Sequence, residues 1–136
     1  MITEIYACGR NGVSAFVIVE GGIQKHYGTH KWGDNIAFDG ITVPTNDLDC
    51  EVLAVICAIM MCKNEGCQLV NIYTDNDNAQ RRYQNQESQS VFLESFIKYS
   101  LGMDVFAEKW NYKVLNNGDW IDNHFVYQCE FLTEVH

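Results

Sequence analysis

Basic side chains are scarce in this chain. Nine Lys and Arg stand against 18 Asp and Glu, a formal net charge of −9. The basic residues are scattered, with Lys25, Lys31, Arg81, Arg82, Lys98, Lys109 and Lys113 among them. Tight binding of nucleic acid without regard to its sequence needs a basic face, so that class is disfavoured; a modest local patch is compatible with the balance. No apolar run is long enough to span a bilayer, so no membrane partner is expected. The opening residues Met1-Ile2-Thr3-Glu4 lack both the basic region and the apolar core of a signal peptide, and a cytoplasmic location is the expectation. There is no repeat and no low-complexity stretch. Six cysteines are present but no Cys-x-x-Cys. Cys50, Cys57, Cys62 and Cys67 lie in or beside one apolar helical stretch. Without an export signal they are expected to be reduced thiols serving as small core residues. His26 and His30 stand four apart in a β-prone segment, which disfavours a zinc pair.

What is present suits one globular domain, residues 1–136, with a single core. Residues 2–8 and 14–20 are β-prone and joined by Asn11-Gly12, a hairpin signal. Gly21-Gly22 makes a second tight turn before a third strand over about 23–31. Residues 33–45 read as a loop ending in Pro44-Thr45-Asn46. Asn46 and Asp49 stand at capping-box spacing, and a long helix should follow to about residue 64. Its apolar stripe is Val52, Ile56, Ile59 and Met60, and Gly66 ends it. A fourth strand spans 68–74. A polar stretch with Arg81 and Arg82 precedes a second helix over about 88–101, with Val91, Phe92, Ser95, Phe96 and Tyr99 on its inner face and Gly102 as its stop. A fifth strand covers 104–110. A last helix starts near Asp119, with Ile121, Phe125 and Cys129 facing inward. The order βββαβαβα predicts an α/β fold: a five-stranded mixed sheet flanked by helices.

The segment Asn71-Ile72-Tyr73-Thr74-Asp75-Asn76 carries the sharpest signal. A short apolar strand ends by delivering a carboxylate to the rim of the sheet, where open α/β sheets place ligands. Asp75 is therefore the first candidate; a helix cap is the plainer role for it. Glu51, early in the first helix, and Asp122, early in the last, can converge with it. Taken singly, Glu51 could be a solvated helix acid and Asp122 a cap. Clustered acids repel one another unless cations sit between them, and hard oxygen ligands suit Mg²⁺ or Mn²⁺. Two such ions about 4 Å apart would support phosphodiester hydrolysis.

With these residues in this order the chain resembles the ribonuclease H family, type 1 branch, and the broader ribonuclease-H-like superfamily. The resemblance runs over nearly the whole length. Ile5-Tyr6-Ala7-Cys8-Gly9 is similar to the family's first-strand motif, and Thr45-Asn46 with Glu51 to the opening of its first helix. Ile72-Tyr73-Thr74-Asp75 is the best match, and Gly118-Asp119-Trp120-Ile121-Asp122 a looser one. The resemblance implies a ribonuclease-H-like fold and endonucleolytic hydrolysis of the RNA strand of RNA/DNA hybrids by carboxylates holding two divalent ions, Mg²⁺ or Mn²⁺. It implies that Glu51, Asp75 and Asp122 are the catalytic metal ligands and that Asn46 contacts the substrate's minor groove. The chain departs from the pattern at Cys8, where the family's first acid falls, and a thiol is a soft ligand mostly protonated at neutral pH. A histidine before Asp122 and a basic helical protrusion are also missing. Asp77 is the one nearby acid that could compensate. Two readings stay open: a slow or Mn²⁺-preferring endonuclease, and an inactive module that binds a protein or nucleic-acid partner.

Overall fold

A computed structural model describes residues 2–32, 37–38, 41–42, 46–110 and 120–135, with the side chains of 37–38, 41–42 and 120–124 outside that description. The strands β1 (Thr3–Arg10), β2 (Val13–Glu20) and β3 (Ile23–Lys31) form an antiparallel meander. Asn11 and Gly12 both hold positive φ, 52° and 77°, as the primed turn between twisted strands requires. Two short strands follow, β4 (Ala37–Phe38) and β5 (Ile41–Thr42), paired with each other, inside a stretch the sequence presents as loop. Then come α1 (Asp47–Asn64), β6 (Leu69–Thr74), a π-helical turn (Gln80–Gln84), α2 (Val91–Tyr99), β7 (Asp104–Lys109) and α3 (Trp120–Glu134).

The main sheet has the order β3-β2-β1-β6-β7. β6 lies parallel to β1, and β7 parallel to β6, as the helical crossovers demand. The expected five-stranded mixed sheet is therefore present. Its two faces are covered unequally. On one face α1 and α2 pack over Ile5, Ala7, Ile18, Val70 and Ile72. On the other, Phe125, Val126 and Cys129 of α3 pack over Tyr6, Cys8, Ala15, Val17 and Val19. The alternation along β1 is the two-residue strand period sorting side chains between layers.

Helix α1 is buried almost all round, not along one stripe. Val52, Leu53, Ala54, Val55, Ile56, Ala58 and Ile59 are all fully buried, whereas Met60, expected on the inner face, is 42% exposed. Each fully buried Leu or Ile contributes on the order of 1.5–3 kcal/mol relative to exposure. In α2 the expected inner residues Phe92, Ser95 and Phe96 are buried, and Val91 is exposed because it occupies the first turn beside the cap Ser90. No helix among the described residues is long and apolar enough to cross a membrane.

Candidate functional site

The start of α1 sits directly on the end of β1. Ser14 Oγ donates to the Cys50 carbonyl at 2.6 Å, and Trp32 Nε1 donates to Ser14 Oγ at 2.7 Å. The Asn11 amide donates to Asp47 Oδ1 at 3.1 Å. Gly9 makes this seat possible. A Cβ there would lie 2.1 Å from the Asp47 carbonyl oxygen and 2.3 Å from the Glu51 amide nitrogen, so only glycine lets the backbones approach this closely. The seat holds Glu51 over the carboxyl ends of β1 and β6.

Glu51 is only 3% exposed. Thr74 Oγ1, at the end of β6, donates to one carboxyl oxygen, and the Tyr83 hydroxyl donates to the other at 2.6 Å. Burial pushes the Glu51 carboxyl up to about 7; the two hydroxyl bonds pull it down and the neighbouring Asp75 carboxyl pushes it further up. Tyr83 is itself fully buried, its ring edge-on to Phe96 at 5.0 Å. Burial first, and then the Glu51 charge, hold its phenol well above the ordinary range. The π-helical turn after Asp75 delivers this tyrosine; such turns, with one residue more per turn than an α-helix, recur at functional sites.

Asp75 faces a different neighbourhood. Arg10 Nη2 donates to Asp75 Oδ2 at 2.5 Å, and Arg10 Nη1 to the Gly9 carbonyl at 2.9 Å. The same guanidinium lies 3.7 Å from Glu130 Oε1 on α3. Cys8 is fully buried in this layer. Burial pushes its thiol up to about 12; Arg10 works against that shift, while Asp75, Glu130 and Glu51 add to it. Cys8 is therefore a neutral thiol at physiological pH.

Of the residues singled out by sequence, Glu51 and Asp75 meet. Glu51 is a buried acid and not a solvated one. Asp75 is ion-paired and does not cap a helix. The side chain of Asp122 lies outside the described residues; its helix position is eight residues before Glu130, about 12 Å along the axis. Asn46 is the N-cap of α1, its Oδ1 accepting from the Asp49 amide at 2.8 Å and its Nδ2 donating to Asp49 Oδ2 at 2.7 Å. Asp77 is exposed and paired with Lys109. His26 pairs with Glu65.

Three participants escape a reading by sequence motif: Arg10, Tyr83 and Glu130. Arg10 had a local signal, because two residues past Cys8 on one strand means the same face. Glu130 follows Cys129 on the inner side of α3. Tyr83 lies in a polar stretch with no periodicity to flag it.

Among the described residues no group of three or more His, Cys, Asp or Glu is placed to hold a metal ion. The donor chemistry agrees. Cys8 is protonated and soft, both Glu51 oxygens accept hydroxyl bonds, and Asp75 already neutralises a guanidinium. As they stand, these residues do not fit a pair of Mg²⁺ or Mn²⁺ ions, since a divalent cation would have to displace Arg10 from Asp75.

No family model matches the chain, and no curated protein matches it in sequence. Among solved structures it is similar to the RNase H1 of the halophilic archaeon Halobacterium salinarum NRC-1, with a TM-score of 0.60 and 16% identity over 85% of this chain and 90% of that one. The fold is ribonuclease-H-like. At that identity the likeness speaks for architecture alone: a mixed five-stranded sheet with helices on its faces.

Proposed function

We propose that this ribonuclease-H-like protein is a binding module in which an internal cation has taken over the carboxylate cluster, and that it does not carry out two-metal hydrolysis. The observation that carries this reading is the Arg10 guanidinium, 2.5 Å from Asp75 and 3.7 Å from Glu130. A fixed positive charge there supplies the neutralisation that clustered acids otherwise need from metal ions, and it repels a divalent ion. Cys8, at the position the resemblance gives to the family's first acid, supplies no charge to hold one. The formal charge of −9 favours a basic protein surface as partner over nucleic acid, whose phosphates it repels.

The alternative reading is the nuclease itself, with Glu51 and Asp75 holding Mg²⁺ or Mn²⁺ against an RNA/DNA hybrid. The proximity of those two carboxyls at the end of the sheet favours it. Cleavage of a labelled RNA/DNA hybrid in Mg²⁺ and in Mn²⁺ separates the two. The native chain is expected to leave the hybrid intact in both, and a Cys8→Asp, Arg10→Ser double variant to gain activity. Cleavage by the native chain that Asp75→Asn abolishes would overturn the binding-module reading in favour of the enzyme.

A further inference from the structure

At the far end of α1 from Glu51, the chain closes the helix with two backbone bonds. The Cys67 amide donates to the Cys62 carbonyl at 2.9 Å, and the Gly66 amide to the Lys63 carbonyl at 3.0 Å. Gly66 holds φ +80° between them. This pair of bonds with a left-handed glycine is the Schellman closure, and it brings the residues at its two ends into side-chain contact. That contact is usually between two apolar groups. In this chain the residues at the two ends are both cysteines, Cys62 and Cys67.

Their surroundings differ in a useful way. Cys62 is 2% exposed, whereas Cys67 is half-buried. The Cys67 thiol is oriented by the Thr3 hydroxyl at 3.3 Å and the Leu69 carbonyl at 3.2 Å. Both cysteines line a cavity of about 390 Å³ that Glu20, Lys25 and Glu65 also border. Its rim offers an ammonium and carboxylates to a small zwitterionic molecule.

We propose that Cys62 and Cys67 form a dithiol site that exchanges with a low-molecular-weight peptidic disulfide, with Cys67 as the entry thiol and Cys62 as the resolving one. Cys67, as thiolate, attacks one sulfur of the small disulfide, forming a mixed disulfide and expelling one thiolate. Cys62 gives its proton to water and attacks the Cys67 sulfur, expelling the second thiolate. The protein loses two electrons and two protons; the small disulfide becomes two thiols. The two backbone bonds of the closure hold the ends of this six-residue segment together, as a disulfide between them requires. Burial pushes the Cys62 thiol up to about 12, which makes resolution the slower step.

The test uses the full chain and oxidised glutathione as the probe. Free thiols counted after denaturation should fall from the six present to four, and peptide mapping should place the new bond between Cys62 and Cys67. Cys62→Ala should stop at a glutathione adduct on Cys67, and Cys67→Ser should leave Cys62 unmodified. A glutathione adduct that persists on Cys67 of the native chain would overturn the proposal. So would first reaction at Cys57, the half-buried thiol within α1. Because the native chain's own thiol count decides the matter, the result stands even where a variant fails to fold.

Discussion

The two neighbouring acids at the rim of the sheet are accommodated by opposite means. Glu51 lies on the α1 side of the sheet, dry, held by two hydroxyls and shifted toward the protonated form. Asp75 lies on the α3 side, about one-third exposed, and is paired with Arg10. The strand period divides them: Thr74 turns toward Glu51, and the next residue turns the other way. A single rim thus carries one acid governed by desolvation and one governed by pairing. Proximity of carboxylates is therefore not enough to define a metal site; what neutralises each one decides what it can bind.

The most damaging way to break this comparison is to separate the two halves. Gly9→Ala puts a methyl into the backbone of α1, which cannot yield as a flexible side chain would, and should cost upwards of about 3 kcal/mol. Chemical denaturation would measure it; a loss under about 1 kcal/mol would mean that α1 is not seated where described.

The next test addresses the dry half alone. The folded Glu51 value, about 7, lies above the ordinary 4.5, so its stabilising contribution is complete below pH 4.5 and is lost as pH rises through 7. The loss amounts to about 3 kcal/mol. Glu51→Gln, which keeps a polar partner for both hydroxyls, should flatten this dependence. Urea unfolding at pH 5 and pH 8 reads it directly, and parallel curves for the two proteins would count against a desolvated Glu51.

A smaller effect is expected at the anchor of α1. Asn46→Ala removes the helix cap and should cost about 1 kcal/mol, with no change in the pH dependence. Binding measurements that fell while stability held would instead give Asn46 a role in contacting a partner. Smallest in stability is Arg10→Met on the paired half, about 1 kcal/mol or less, since the ion pair is partly exposed to solvent. Its value lies elsewhere. With the guanidinium gone, Mn²⁺ should raise the melting temperature of the variant and leave that of the native protein unchanged. An equal response in both would show that Arg10 does not keep cations out.

Much of this architecture was legible in sequence because its signals are local. Asn11-Gly12 and Gly21-Gly22 announce the meander, Asn46 with Asp49 starts α1, and Gly66 ends it. Asp75 was visible at the rim because a polar residue after an apolar strand has few other places to go. The neutralisation of the site was not legible. Arg10 and Glu130 stand 120 positions apart, and no periodicity links them; their meeting depends on how α3 lies across the sheet. Tyr83 was hidden for another reason. A π-helical turn follows neither the 3.6-residue nor the two-residue rhythm, so its one buried tyrosine looks like part of a polar loop. The small β4–β5 pair was missed because two residues per strand carry no pattern.

The relay from Trp32 through Ser14 to the Cys50 carbonyl has an optical consequence. An indole whose N–H is tied by one hydroxyl to the first turn of α1 reports on that helix by its emission. Loosening the helix from the end of β1 would free the indole to solvent and shift its fluorescence to longer wavelength. The protein thus carries a built-in gauge of whether the floor beneath Glu51 is in place.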